Sequence, residues 1–519
     1  MIHRISTLTA SSIACLSAFA QAPFARTYKD VTDTLNYANT YAQLARTSTS
    51  DLLLVNDLGQ LQNDRTIYPK RLATDGSVQW ARRILVTGAN HWNITDMAAL
   101  TDGSMVITGE DGLHGLFLRL DPSGTPVAAK WYSATGISAA TTLYVVNDSA
   151  IVLFGDRRNG SSSNGWLAVV DQNGALISTA SFQIAGQELA PVQVLDLSGN
   201  SVLMLGRSDE FVTPFHKAVA VCSLDTTAGL MNWAVQLSNT AMPVLRPVGA
   251  MVLADGSSRI VMRNEMGLSS TSTVVAALSA SGALLWTKEL HPKRGTWDMY
   301  PLSVTPMSAT TLAITGYYDP AHSGVLLLDT SATVVTQTSW NSVLIANEGI
   351  SDGSGGLWIA AHSPVSGSFD PALIHTDNDL SLCASSATSI TTNTIVMDTA
   401  SNVVQSGYSL SVVDVLGDLT TITFTPLITT LCTSTGINDE SGSSTAPLLA
   451  PNPAFDRLSI NAPSIQRIDI IDAIGRMMLS RSFQDEASID LNISTLAAGL
   501  YHVRMLTRDG WRSSALIKE

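Results

Sequence analysis

Hydrophobic and polar residues alternate along this chain in short blocks, and one stretch shows the pattern in full. Between Met97 and Tyr132, four apolar runs span residues 97–100, 105–108, 116–120 and 127–132. Asp102-Gly103 separates the first two runs, and a turn from Asp121 to Gly124 separates the last two. Short runs rich in Val, Ile, Leu and Phe, bounded by Gly, Asp and Pro, are typical of strands joined by tight turns. The stretch therefore predicts four short β-strands.

The same pattern recurs along most of the chain, and repeats of this kind decide the architecture before any site is considered. The first turn recurs near residues 51, 102, 147, 198, 255, 308 and 352, and the second near 75, 121, 171, 225, 279, 329 and 377. Both series give seven copies at a spacing of roughly 50 residues. Tryptophan follows the second turn in the copies that contain Trp80, Trp131, Trp233, Trp286 and Trp340.

A four-stranded sheet cannot bury both faces alone, whereas sheets stacked around an axis bury them and leave few exposed edges. The repeats therefore predict an all-β fold in which residues 28–383 form a seven-bladed β-propeller. A β-helix repeats at a shorter period, and an array of β-sandwiches would show linkers between copies. The copies resemble the Asp-x-x-Gly-x-x-x-Trp repeats of bacterial quinoprotein-like propellers, in architecture only.

The segments outside the repeats differ in composition. Arg4, an apolar or small run from 5 to 19, and Ala18-Phe19-Ala20 predict a signal peptide at residues 1–20. A lipoprotein site at Cys15 is the alternative, which Ser12 disfavours. Residues 384–432 are rich in Thr, Ser and Val and predict a β extension that caps the propeller, and the polar run 433–447 predicts a linker. In an oxidising compartment, Cys383 and Cys432 are expected to form a disulfide.

The last segment, residues 448–519, carries the most specific motifs and predicts a small Ig-like β-sandwich. It opens with Asn452-Pro453, contains the turn Asp472-x-x-Gly475-Arg476 and the strand motif Gly499-x-Tyr501, and ends in a strand with Lys518. In this order the motifs resemble the C-terminal sorting domain of type IX secretion cargo in Bacteroidetes. The resemblance implies the type IX secretion machinery as a partner, passage across the outer membrane, removal of this domain, and release or attachment at the cell surface. The alternative is an ordinary Ig-like module.

Charge and motifs exclude several classes of function. The 29 basic and 43 acidic residues give 29 − 43 = −14, which argues against nucleic acid or anionic lipid as a general partner. After the signal peptide, no apolar run reaches the roughly 18 residues that span a bilayer. Gly349-Ile350-Ser351-Asp352-Gly353 matches the G-x-S-x-G motif of hydrolases, but it precedes a blade turn and no helix follows it. No catalytic residue is assigned, and Asp377-x-Asp379 leaves calcium as the one cofactor to consider.

In a four-stranded blade, the loop between strands two and three lies on the same face as the connection to the next blade. Carboxylates, imidazoles and indoles gather in these loops, which suits sugar or cation binding, although loops are polar in any case. The predicted ligand-face residues are His91, Trp92, Glu110, Asp111, His114, Asp156, Asp209, Glu210, Trp297 and Asp319. The sequence favours a secreted or surface-attached, non-catalytic binding or adhesion module. The alternative is a propeller-based polysaccharide lyase or glycosidase; a quinone-dependent dehydrogenase would need eight blades and a basic cofactor cradle.

Overall fold

The computed structural model describes residues 23–29, 42–56, 66–86, 93–134, 137–147, 150–159, 162–184, 187–198, 201–210, 217–226, 230–265, 271–319, 321–341, 344–363, 370–382, 385–386, 388–400, 403–406, 410–433, 448–472, 476–507 and 510–519. In these ranges the regular structure is 42 strands and one 3-10 helix, Leu416–Asp418. The all-β prediction is confirmed, since the strands form many small antiparallel sheets. The chain divides into two compact units, Met1–Thr433 and Ser434–Glu519. The predicted signal peptide lies outside the described residues.

The first unit begins with strand β1 (Phe24–Lys29) and continues with groups of consecutive strands that we call modules 1 to 7. Module 1 contains β2 (Ala42–Arg46), β3 (Leu52–Asn56), β4 (Thr66–Ile67), β5 (Lys70–Leu72) and β6 (Val78–Val86); module 2 contains β7 (Asn93–Ala99), β8 (Met105–Glu110), β9 (Gly115–Leu120) and β10 (Pro126–Ser133). Module 3 contains β11 (Ile137–Asn147), β12 (Ala150–Asn159), β13 (Ser162–Val170) and β14 (Leu176–Ile184); module 4 contains β15 (Gln187–Ser198), β16 (Ser201–Glu210), β17 (Lys217–Asp225) and β18 (Leu230–Ser238). Module 5 contains β19 (Leu245–Val252), β20 (Ser258–Asn264), β21 (Ser272–Leu278), β22 (Leu284–Arg294) and the short β23 (Trp297–Asp298). Module 6 contains β24 (Tyr300–Pro306), β25 (Thr311–Asp319), β26 (His322–Asp329) and β27 (Val334–Asn341); module 7 contains β28 (Ile345–Ser351), β29 (Leu357–Ser363) and β30 (Asp370–His375).

The turn before the fourth strand of a module has a local cause in the sequence. In module 2, the Asp121 carboxylate accepts hydrogen bonds from the backbone N–H groups of Ser123 and Thr125, both at 2.9 Å. Gly124 then adopts a φ of +81°, a conformation that glycine reaches without steric cost. These two demands explain why Asp and Gly recur at the first and fourth positions, although Ala332 and Leu380 take the fourth position in modules 6 and 7 with φ of 56° and 58°.

The repeated tryptophan has a non-local cause, because it packs on the turn of the following module. The Trp80 indole N–H donates to the Pro122 carbonyl at 2.8 Å, and its ring covers Gly124. The Trp233 indole donates in the same way to the Ala280 carbonyl at 3.0 Å, whereas the Trp340 indole donates to the fourth residue of its turn, at the Leu380 carbonyl, at 3.1 Å. The Asp-x-x-Gly turn and the tryptophan are thus the two halves of one contact between modules.

The hydrophobic core lies between the facing sheets of neighbouring modules. Phe154 and Leu167 of module 3 pack in one cluster with Met204 and Cys222 of module 4. The first strands of the modules, β2, β7, β11, β15, β19, β24 and β28, also contact one another in chain order, and β28 contacts β2. These contacts form a closed circuit.

The first and last parts of this unit meet in module 7. Strand β1 pairs antiparallel with β30, with Phe24 opposite His375, and so supplies the fourth strand of that module. This explains why the last repeat in the sequence ends early, near residue 383. It also places the first described strand at Phe24, before the predicted start of the repeats at residue 28.

The segment 385–433, which we call the belt, adds one strand to the outer edge of each module. Its strands are β31 (Ser385–Ser386), β32 (Ser389–Thr394), β33 (Asp398–Ala400), β34 (Val403–Ser406), β35 (Ser411–Asp414), β36 (Leu419–Thr423) and β37 (Leu427–Thr433). They pair in turn with β27, β22, β18, β14, β10, β6 and β1. The belt therefore visits modules 6, 5, 4, 3, 2, 1 and 7 in that order, opposite to the order in which the modules occur in the chain.

The second unit is a separate antiparallel assembly of β38 (Leu448–Ala450), β39 (Arg457–Asp472), β40 (Met477–Asn492), β41 (Gly499–Thr507) and β42 (Gly510–Lys518). Strand β39 pairs with β38, β40 and β41, and β41 pairs with β42. Its own core includes Ile468, Ile470, Val503 and Leu516, all of them buried. The unit therefore has the core that an independent domain requires.

Candidate functional site: a polar cavity lined by the first strands

Six of the seven first strands carry an irregularity at equivalent places. The register between the first and second strands shifts within the pairs 94–96, 140–142, 191–193, 247–249, 301–303 and 346–348. A bulge of this kind leaves one residue unpaired and changes the direction of the neighbouring side chains. In three modules the bulge follows a proline, Pro191, Pro247 or Pro301, which has no N–H to give to the ladder.

A cavity of about 390 Å³ lies among these bulges, and every first strand contributes to its wall. Its lining residues are Ala42, Gln43, Thr95, Asp96, Thr142, Leu143, Val192, Gln193, Val194, Val248, Leu302, Ser303, Asn347 and Glu348. Apolar walls with a few converging polar groups are the usual composition of a small-molecule site. We call this space the central cavity.

Asp96 is the first of two carboxylates in the central cavity, and it is closely held. One carboxylate oxygen accepts a hydrogen bond from the Thr142 hydroxyl at 2.6 Å and another from the backbone N–H of Leu143 at 2.9 Å. The second oxygen accepts from the N–H of Met97 at 2.7 Å. Burial raises the pKa of Asp96, and these three donors offset part of that rise.

Glu348 is the second carboxylate, and it is held by fewer groups. One of its oxygens accepts a hydrogen bond from the backbone N–H of Leu44 at 2.9 Å. Burial, and next the negative charge of Asp96, raise the pKa of Glu348 to about 8. At neutral pH Glu348 is therefore mainly protonated.

The same hydrogen bond between modules occurs a third time with a neutral side chain. The Gln193 amide oxygen of module 4 accepts from the N–H of Ala250 in module 5 at 2.9 Å. Asp96 and Glu348 make the equivalent bonds from module 2 to module 3 and from module 7 to module 1. These side chains thus join neighbouring modules as well as line the cavity.

The residues behind Glu348 carry little charge. Asn347 lies 3.1 Å from the His362 imidazole, between the amide nitrogen and Nδ1. Burial lowers the pKa of His362 to about 4, so this ring is neutral at physiological pH. On the module 6 side, the Ser303 hydroxyl lies 2.7 Å from that of Thr315.

Of the predicted ligand-face residues, Asp111 and Asp319 serve their own loops. Asp111 accepts from the backbone N–H of His114 at 2.6 Å and lies 2.9 Å from its ring, which stacks on Trp131 with 4.9 Å between ring centroids. Asp319 lies 2.6 Å from the His322 ring in the equivalent loop of module 6. Both loops share the Asp-x-x-His spacing, so the histidine orders the loop together with the aspartate.

The other predicted face residues are spread over several environments. Glu110 ends β8 and lies 3.4 Å from the Asn93 amide; Asp156 is buried in β12; Trp297, in β23, is 41% exposed. His91, Trp92 and the side chains of Asp209 and Glu210 lie outside the described residues. None of the predicted residues that the structure describes lines the central cavity, and their role in binding stays a prediction.

Sequence reasoning did not single out Asp96 or Glu348. They lie within the first strands β7 and β28, which mix polar and apolar residues, and the bulge beside each is invisible in the sequence. One signal was available in the sequence: Asp96 and Glu348 each stand a few residues before the first turn of their repeat. Gln193 occupies the corresponding place in its repeat with a neutral side chain.

The cysteines are only partly described. Cys222 is fully buried in β17, and burial raises its pKa to about 12, which suits a small core residue. Cys383 and the side chain of Cys432 lie outside the described residues, so their disulfide stays a prediction. Among the described residues no group of three or more His, Cys, Asp or Glu side chains is placed to hold a metal ion.

In the second unit, most of the predicted sorting-motif residues take part in its turns and edges. The Asp472 carboxylate accepts from the N–H of Arg476 at 2.8 Å and from its guanidinium at 2.7 Å, and Gly475 between them lies outside the described residues. The Asn452 side chain accepts a hydrogen bond from the N–H of Ile517 at 2.9 Å. The next residue, Lys518, lies opposite Gly499 in the pairing of β41 with β42. The Tyr501 hydroxyl donates to the Ala497 carbonyl at 2.8 Å, and Pro453 follows Asn452 at the exposed start of the unit. Asn452 therefore joins the start of this unit to its last strand, whereas Asp472, Arg476 and Tyr501 stabilise local turns.

Comparison with known proteins identifies the second unit. Residues 449–519 match the family described as secretion system C-terminal sorting domain. No curated protein matches the chain. The described residues also contain no helix that is long and apolar enough to cross a membrane.

Solved structures show only a distant likeness to this chain. An ulvan lyase from a polysaccharide lyase family has 10% identity and a TM-score of 0.41, over 69% of this chain and 94% of that one. A puromycin hydrolase has 14% identity and a TM-score of 0.42, over 69% and 55%. The subtype N11 neuraminidase-like protein of a flat-faced bat isolate from Peru has 9% identity and a TM-score of 0.32, over 69% and 95%. With its sorting domain at residues 449–519, the chain is a cargo of the type IX secretion system, directed to the cell surface or the outside of the cell.

Proposed function

We propose that the first unit is a seven-bladed β-propeller, that the second is an Ig-like sandwich, and that the secreted protein is a non-catalytic binding module. The closed circuit of first strands and the tryptophan contacts between successive modules support the ring. The observation that carries the function is the central cavity, to which all seven first strands contribute.

The chemistry of the cavity suits a small, polar, uncharged ligand, such as one sugar unit of a glycan. Amide and hydroxyl groups of Gln43, Gln193, Ser303 and Asn347 offer both donors and acceptors, and Leu302 with its aliphatic neighbours offers apolar surface. A sugar presents hydroxyl groups and C–H faces in the same way. A volume of about 390 Å³ lies within the usual range for ligand pockets and holds a ligand of that size.

The test is binding of methyl glycosides of neutral monosaccharides to the full chain, measured by saturation-transfer NMR and calorimetry. Gln43→Trp, which fills the cavity, should abolish binding, whereas Thr421→Trp on the exposed belt should leave it unchanged. Loss of binding in Asp111→Asn but not in Gln43→Trp would move the site to the predicted ligand face and refute the proposal. Absence of binding by every glycoside would refute it as well.

A second function is favoured by one observation, the coupled pair Asp96 and Glu348. A protonated carboxyl with a second carboxyl group in the same cavity is the pairing from which glycosidases take their general acid and their base or nucleophile. A polysaccharide-degrading enzyme would release reducing ends from a polymer, and Glu348→Gln would abolish that release. Absence of release from a panel of neutral and acidic polysaccharides would leave binding as the function.

A further inference from the structure

The two carboxylates of the central cavity differ in their remaining hydrogen-bonding capacity. Asp96 receives three donors, from Thr142, Leu143 and Met97, which engage both of its oxygens. Among the residues that the structure describes, Glu348 receives one donor, the N–H of Leu44, on a single oxygen. The second oxygen of Glu348 is therefore the carboxyl oxygen with room for a ligand.

Gln193 shows what the contact between modules requires by itself. Its amide oxygen makes the same bond to the next module, with no charge and no proton to exchange. A glutamine would therefore satisfy the N–H of Leu44 as well as Glu348 does. The carboxyl group at position 348 adds something beyond this contact, which is a proton that it can hold or lose.

We propose that Glu348 is the specificity-determining residue of the central cavity and, in its protonated form, donates a hydrogen bond to an acceptor oxygen of an uncharged sugar. This inference rests on the proposed binding function. The negative charge of Asp96, which raises the pKa of Glu348, also disfavours a carboxylate in the same space, so the cavity prefers a neutral sugar over the corresponding uronic acid. In its ionised form Glu348 loses the donor and adds a second negative charge to the same space.

Apart from Asp96, the groups around Glu348 are uncharged, so pH affects the cavity through the proton of Glu348. Of the residues that line the cavity, Asp96 and Glu348 are the two that titrate. Strands β2 and β24, which pack beside β28, contribute Ala42, Gln43, Leu302 and Ser303, which are uncharged. His362 of β29 lies behind Asn347 and is neutral, because burial lowers its pKa to about 4.

The affinity for a neutral sugar should fall as the pH rises. Burial and the charge of Asp96 raise the pKa of Glu348 to about 8, so below that pH the donor is present and binding is complete. Above it, affinity for a neutral sugar should fall by about tenfold per pH unit, because the binding form is lost in that proportion. The experiment is calorimetry of the full chain with the neutral methyl glycosides and the matching uronic acids between pH 6 and 10.

Glu348→Gln keeps a donor and the bond to Leu44, and should therefore bind the neutral sugar with an affinity that no longer changes with pH. Glu348→Leu should bind at least tenfold more weakly at pH 6, and thermal unfolding of both variants checks that they fold. Glu289→Gln, outside the cavity, is the matched control and should keep the pH dependence of the wild type. Binding that is equally strong at pH 6 and 10 in the wild type, or preference for the uronic acid, would overturn the role of Glu348 without affecting the binding function. Absence of any binding would overturn the proposed function and this inference with it.

Discussion

Gly124 offers the sharpest test of how the modules are held together. It adopts a φ of +81°, and a Cβ at this position would lie 2.7 Å from Cζ3 and 2.8 Å from Cε3 of Trp80. The indole cannot simply move aside, because its N–H is bonded to the Pro122 carbonyl at 2.8 Å. Gly124→Ala therefore combines a strained backbone with a steric clash in the contact between modules 1 and 2.

Two other glycines separate these effects. Gly295 has a φ of +63° but no atom within 4 Å of its Cβ position, and Gly417 has neither a positive φ nor a neighbour within 4 Å. The left-handed conformation costs an alanine roughly 1–2 kcal/mol, and overpacking adds about 1–3 kcal/mol. All three substitutions share the gain of about 0.4–1 kcal/mol that alanine brings by restricting the unfolded chain. Gly295→Ala should thus be less stable than Gly417→Ala by about 1–2 kcal/mol. Gly124→Ala should be less stable than Gly295→Ala by about a further 1–3 kcal/mol.

The assay is equilibrium unfolding in urea, followed by tryptophan fluorescence on the full chain, with the three variants compared at equal protein concentration. A double-mutant cycle with Trp80→Ala completes it, since removal of the indole should reduce the cost of Gly124→Ala to the backbone term alone. If Gly124→Ala costs the same with and without the indole, the clash is not the cause. If Gly124→Ala and Gly295→Ala are equally stable, the contact between the modules contributes nothing measurable.

Four further predictions concern other parts of the chain. Thr420→Pro in the belt removes a ladder hydrogen bond and should expose residues 419–433 to limited proteolysis, whereas Thr425→Pro, just beyond β36, should not. The pKa of Glu348 is about 8 in the folded chain but 4.5, its ordinary value, in the unfolded chain, so stability should fall as pH rises between these values, and Glu348→Gln should remove that slope in a series of thermal melts. Mass spectrometry after non-reducing digestion should find Cys383 linked to Cys432; two free thiols would contradict the disulfide. Deletion of residues 450–519 should leave the protein folded in the periplasm, and its appearance at the cell surface in fractionation would contradict the role of the second unit.

The parts of the fold that depend on local pattern were predictable, and those that depend on the meeting of distant segments were not. Asp121 and Gly124 belong to one turn, so their spacing showed in the sequence together with the strands on either side. That Trp80 covers the turn of the next module, and that β1 completes module 7, are contacts across about 40 and 350 residues that no periodicity reports. The belt was visible as Thr-rich β structure, but its reverse course around the modules follows from pairings that only the structure contains. The loop residues Asp111 and Asp319 were conspicuous as charges, although their partners His114 and His322 lie three residues away and satisfy them locally.

The acids of the central cavity show why a structural contact and a binding site can share the same residues. Burial of an ionisable carboxyl group opposes folding unless its charge is compensated, and a neutral side chain of similar shape avoids that cost. Gln193 proves that this fold makes the same bond between modules with an amide. Asp96 and Glu348 instead lie near enough for the charge of the one to raise the pKa of the other, an unfavourable interaction that two amides would not have. Residues that reduce stability in a space open to a ligand are characteristic of functional sites, since activity tends to require groups that folding alone would not select. The function of this protein is therefore to be sought at Glu348, inside the circuit of first strands, before it is sought among the charged loops on its surface.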